Sequence, residues 1–122
     1  MKIIRLENRN QPLPAPLQAI YCDSFLCRLR GLMFRSSLAH NEGLLLVEAR
    51  DSRLDTAIHM LIVFMDLAVI WINSEHIVVD TVLARSWHPA YAPRQTAKYI
   101  LEIHPGRLNE FKIGDHVEFQ HA

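Results

Sequence analysis

The chain has 122 residues, half of them apolar, with 13 basic and 13 acidic side chains and a formal net charge of zero. That length fits a single domain, residues 1–122, with one hydrophobic core, and the apolar content excludes a disordered chain. Zero net charge argues against nucleic acid as a partner, because phosphate binding needs unopposed Lys and Arg. The nearest basic cluster, Arg28, Arg30 and Arg35, is too short to supply that affinity alone.

The two cysteines, Cys22 and Cys27, match no zinc spacing. The opening "MKIIRLENRNQPLP" lacks the apolar stretch of a secretory signal. The expectation is a cytoplasmic protein with reduced thiols, no metal and no cofactor.

In chain order, Lys2 to Leu6 reads as an edge strand, followed by "QPLPAP", whose prolines cannot join a ladder. Leu17 to Cys22 is a second strand. Ser24 can cap a helix in which Phe25, Leu26, Leu29, Leu32 and Met33 recur at helical spacing, with Gly31 ending it or packing it closely on the sheet. "GLLLVEA" from Gly43 is a strand.

The run "TAIHMLIVFMDLAVIWIN", Thr56 to Asn73, raises the question of a membrane span. His59 and Asp66 interrupt it, basic anchors are missing from its flanks, and β-formers fill it. It therefore reads as two central strands of a soluble core joined by a kink near Asp66, with no membrane partner. The turn "NSE" would lead into "HIVVDTVLA", pairing Ile72 with Ile77 and Trp71 with Val78. "AKYILEI", Ala97 to Ile103, is a further strand. A helical turn from Pro105, a "GD" turn and a closing strand complete the chain. These elements predict a mainly-β domain: a compact antiparallel β-sandwich or open barrel with two short helices.

Five motifs in fixed order carry a resemblance: "RGLMFRSSL", "EGLLLV", the strands around "MDLAVIWIN", "AKYILEIHPG" and "IGDHVEF". They resemble the uncharacterised ACR family, domain of unknown function 192, over roughly residues 24–119. The resemblance implies a jelly-roll-like β-sandwich with small helices and implies no activity. The chain departs from the common family pattern at "AIHML", where many members have an aromatic-Met-Lys-Asn stretch, and at Phe64, where many have Pro. The His-Met form resembles a subgroup variant.

His59, inside an apolar run, suits a general base, a ligand or a hydrogen-bonded core residue. Asp66, between Met65 and Leu67, needs a partner, for which Arg30 or Arg35 is expected. Positions seven apart on a strand face opposite sides, so His59 and Asp66 form no direct dyad without a kink. Arg30 and Arg35 can hold an anion or tie the helix to the sheet. In the loop "SWHPAYAP", Trp87, His88 and Tyr91 offer stacking faces with polar tips, or Trp87 plugs the core. No nucleophile elbow, phosphate-binding glycine loop or paired-cysteine redox motif occurs.

The expected function is a small soluble β-domain that binds a small polar or carbohydrate-like ligand in a cleft near His59, Arg30 and the Trp87 loop. A structural or protein-interaction domain is the alternative, and a hydrolase-type enzyme the third reading.

Overall fold

The structure is a computed structural model and describes residues 2–121. Seven strands form one curled sheet, a half-barrel, in the order β5-β4-β6-β3-β2-β1-β7. They are β1 Ile3–Asn8, β2 Gln18–Cys22, β3 Glu42–Ser52, β4 Leu67–Ile72, β5 Val78–Ala84, β6 Ala97–Ile103 and β7 Val117–His121. The short helix α1, Phe25–Arg30, follows β2, and a 3-10 helix, Pro105–Glu110, follows β6. The mainly-β expectation is met in its open-barrel form. All pairings are antiparallel except β2 with β3, whose parallel register is reached through the α1 crossover.

The central strands carry apolar side chains on both faces, so they read as continuous apolar runs rather than alternating ones. Leu45 and Val47 of β3, Ala68, Ile70 and Ile72 of β4, and Tyr99, Leu101 and Ile103 of β6 fill one core. Leu44, Leu46, Leu67, Val69, Trp71 and Ile100 face the other side into a second core, covered by α1's end and the loops. The half-barrel is latched at one end. Val78 donates its N–H to Asp115 O at 2.9 Å, and Val117 donates to His76 O at 2.9 Å, joining the β4-β5 hairpin to the turn before β7.

Buried Arg107 holds the 3-10 helix in place. Its guanidinium donates to the carbonyls of Ala15 at 2.7 Å, Pro16 at 3.1 Å and His40 at 2.6 Å, and to Glu110 Oε1 at 2.8 Å. Buried charge is tolerable only when its donors are satisfied in this way.

Several expectations are corrected. The N-terminal strand is not an edge, because β7 pairs along its free side. The first half of the Thr56–Asn73 run is a loop whose β-pairing is limited to an isolated bridge, Ile58 with Tyr91, and only Leu67–Ile72 is strand. Its apolar side chains Ile58, Met60 and Val63 are buried without a ladder, so composition alone imitated a strand. The hairpin register is Trp71 opposite Asp80 and Ile72 opposite Val78, shifted by a bulge between Trp71 and Ile72. Ser24 does cap α1, its hydroxyl accepting from Cys27 N at 3.2 Å, but Phe25, Leu26 and Leu29 are exposed rather than packed. Cys22 and Cys27 are joined as a disulfide, not reduced. Among the described residues, no helix is long and apolar enough to cross a membrane.

Candidate functional site

Strand alternation decides the site. On β6, Tyr99, Leu101 and Ile103 point into the first core, so Ile100 and Glu102 must point to the opposite face. There Glu102 stands beside Leu44 of β3 and Val69 of β4, both buried aliphatics. It is only 5% exposed, and its Oε1 accepts no hydrogen bond. Burial without compensation raises the Glu102 carboxyl to about 7.

Glu102 lies in a cavity of about 200 Å³ bounded by α1, β3, β6 and the 55–63 segment. Part of the wall is apolar, formed by Leu32, Leu46, Met60, Val63, Leu67 and Ile100. Gly31 closes one side: with φ of 50°, it takes a conformation that side chains resist, and the site of its missing Cβ is 3.8 Å from Glu102 Oε1. Charged groups are also part of the lining. Arg28 is paired with Glu48 at 3.0 Å and also donates to the Asp23 and Val47 carbonyls. Burial raises the Glu48 carboxyl, Arg28 lowers it, and Asp55 raises it further. Asp55 lies 3.9 Å from Arg50.

The residues expected from sequence are divided among several places. His59 and Arg30 line the same cavity, and both are exposed rather than buried. Asp66 is elsewhere. Its partner is Arg85, at 3.1 Å, and not Arg30 or Arg35; it also accepts from Ser86 N at 2.9 Å. Arg35 donates to Ser37 O at 3.2 Å and lies 3.9 Å from Glu42. Trp87, half-exposed with φ of 65°, rests against Phe64 at 5.8 Å between centroids, so it does not plug the core. His88 stacks on Tyr91 at 4.3 Å, and the Tyr91 hydroxyl accepts from Arg85 N at 2.9 Å. The aromatic loop is tied to the 55–63 segment through Met60, which donates to His88 O and accepts from Trp87 N, but it does not line the cavity.

Sequence reasoning missed Glu102, Glu48, Arg28 and Asp55. A signal for Glu102 was present in "ILEI", a carboxylate between aliphatics on a strand whose neighbours are all apolar. Among the described residues, no group of three His, Cys, Asp or Glu side chains could hold a metal ion.

Comparison with known proteins fits this architecture. A UPF0127 protein of Thermococcus gammatolerans is 40% identical over 91 residues, covering 75% of this chain and 58% of the relative. The chain thus spans less than two thirds of that relative's length. The UPF0127 protein PF1050 of Pyrococcus furiosus is 30% identical over 105 residues, covering 84% of this chain and 87% of the relative. Two crystal structures share the fold at 19% identity. One is from Sinorhizobium meliloti 1021, with TM-score 0.80 over 97% of this chain and 92% of that one. The other, a protein of unknown function from Novosphingobium aromaticivorans, has TM-score 0.77 over 95% and 84%. The sequence model of domain of unknown function 192, described as uncharacterized ACR, matches residues 5–119, and the chain belongs to this family.

Proposed function

We propose that this domain is a small-molecule binding module whose ligand enters the cavity that Arg30 and His59 share with Glu102. The observation that carries this reading is the orphaned Glu102 oxygen at a cavity wall. A buried polar atom without a partner costs roughly 1–3 kcal/mol, and a ligand that supplies the missing partner recovers it. A cavity of about 150 Å³ accommodates a benzene ring, so the space here takes a ligand of roughly six to eight non-hydrogen atoms.

Binding is favoured over hydrolysis by the state of the second carboxylate. Acid–base hydrolysis of glycosides uses two carboxyl groups with separate tasks, and Glu48 is already engaged by Arg28. A thermal-shift panel of sugars, polyols, carboxylic acids and amines tests the proposal. A ligand at 100 times its Kd adds about 2.7 kcal/mol, so a true ligand raises the melting temperature measurably. An unmoved melting temperature across the whole panel defeats the reading.

One observation favours a second reading, a protein-interaction surface. Phe25, Leu26 and Leu29 on α1, with Phe34, Phe64 and Trp87 on the adjoining loops, are large apolar side chains exposed to solvent. Sedimentation velocity across a concentration series checks it: self-association abolished by F25S/L26S supports an interface, and a concentration-independent monomer counts against one between copies.

A further inference from the structure

Resting on the cavity reading above, we propose that the ligand is a small primary amine, its ammonium group seated on Glu102 and its apolar body lying against Leu46, Leu67 and Ile100. Two features select this chemistry. First, the neighbours of Glu102 across the sheet are aliphatic, Leu44 on β3 and Val69 on β4, and its Oε1 is the one unpartnered buried side-chain atom among the described residues. A polyol that reaches Glu102 lays hydroxyls on those aliphatic neighbours, and each one left unpaired there weakens binding. A ligand with one polar end and an apolar body sets its hydrocarbon on that surface and its polar group on Oε1.

Second, charge selects the polar end. The charged groups that share the cavity with Glu102 are Arg28 and Arg30 from α1, Glu48 from β3, and Asp55 from the 55–63 segment, which also carries His59. Arg28 is committed to Glu48 and Asp55 lies against Arg50, and among the described residues no cation bonds to Glu102 Oε1. One ammonium supplies that cation and an N–H for the unfilled oxygen, with its other donors left to the Glu48 and Asp55 side of the lining. An alcohol supplies a hydrogen bond without that charge, and a carboxylic acid adds a negative one.

The proposal fixes the sign of a pH effect. An alkylammonium stays charged to about pH 10, whereas the Glu102 carboxyl titrates at about 7. Below that value, seating the ammonium expels one proton, so affinity rises about tenfold per pH unit up to pH 7 and then levels. A neutral ligand that accepts from protonated Glu102 shows the opposite trend, losing affinity above pH 7.

The experiment is titration of the full chain with n-hexylamine, n-hexanol, hexanoate and glycerol between pH 5 and 8. It is read by calorimetry and by methionine-methyl NMR, in which Met60 and Met33 report on the cavity and Met65 lies outside it. Expected is saturable hexylamine binding that shifts Met60 and Met33, with the tenfold slope retained in H59N. In E102Q, which keeps the side-chain shape, affinity drops at least tenfold and the slope disappears. E102L serves if E102Q fails to fold. Hexanol or glycerol binding in place of hexylamine, or hexylamine binding equally well to E102Q, overturns the amine assignment while leaving the cavity reading in place. Failure of every probe to shift Met60 or Met33 overturns both.

Discussion

Trp71 donates its indole N–H to the Thr56 carbonyl at 2.7 Å, a fully buried hydrogen bond between β4 and the start of the loop that carries Asp55 and His59. Thr56 is itself fixed by donating its hydroxyl to Ser52 O at 2.6 Å. The cavity's outer wall is therefore anchored to the sheet at one buried point. Trp71→Phe retains most of the packing and strands the Thr56 carbonyl, a loss of about 1–3 kcal/mol. Urea denaturation measures the loss, and faster amide exchange across 55–63 than across β6 locates it.

Glu102 makes stability fall with rising pH. Its folded value of about 7 lies above its ordinary 4.5, so between these values the native state holds the proton more tightly than the unfolded chain. The contribution is complete below pH 4.5 and is lost as pH rises through 7, a change of about 3 kcal/mol. E102Q cannot titrate and removes this slope. Denaturation midpoints at pH 5, 6, 7 and 8 test it, and parallel curves for the two proteins contradict the buried-acid assignment.

Asp80 works in the opposite direction. Burial alone raises its carboxyl, but hydrogen bonds from the Arg94 side chain and backbone N–H and from Thr81 N outweigh burial and hold it below 3.8. Its contribution is therefore present above the ordinary aspartate range and is lost on acidification through the lowered value. NMR titration of the Asp80 carboxyl should show this depressed midpoint in the native chain and a return towards 3.8 in R94A.

Removing Arg107 leaves three carbonyls and the Glu110 carboxylate without their donor. Arg107→Ala should cost about 3–5 kcal/mol, the range for breaking a buried ion pair. Arg107→Lys recovers only part of this, since an ammonium cannot reproduce the guanidinium fork. Thermal unfolding ranks the three proteins.

The Cys22–Cys27 disulfide closes a short loop across Ser24 and the start of α1. Chain-entropy reasoning gives about 2 kcal/mol for a loop this short. C27S should lose that amount, and a thiol assay on unfolded, unreduced protein should find no free sulfhydryl.

How legible this molecule is from sequence depends on whether an element is shaped locally. β3, β4 and β6 were legible because strands buried on both faces are unbroken aliphatic runs, and Ser24 declared its helix through capping chemistry. The 55–66 loop was not, since Ile58, Met60 and Val63 are as apolar as strand residues while their backbone partners, Tyr91 and His88, lie some thirty residues downstream. Asp66 clearly required a cation, but choosing Arg85 depends on the β4-β5 pairing that returns the chain beside it. Glu102 escaped because a lone glutamate in a strand ordinarily faces water. Its burial is completed by Leu44, Val69 and the covering segments around Gly31 and 55–63, distant in sequence, and the one local sign is its place in "ILEI".

Helix α1 supplies the rim of the cavity through Arg28, Leu29 and Arg30, yet none of its six residues is buried. The strands beneath draw their stability from other contacts. Changes at the exposed Leu29 and Arg30 would therefore reshape the mouth of the cavity while the two cores beneath keep their packing.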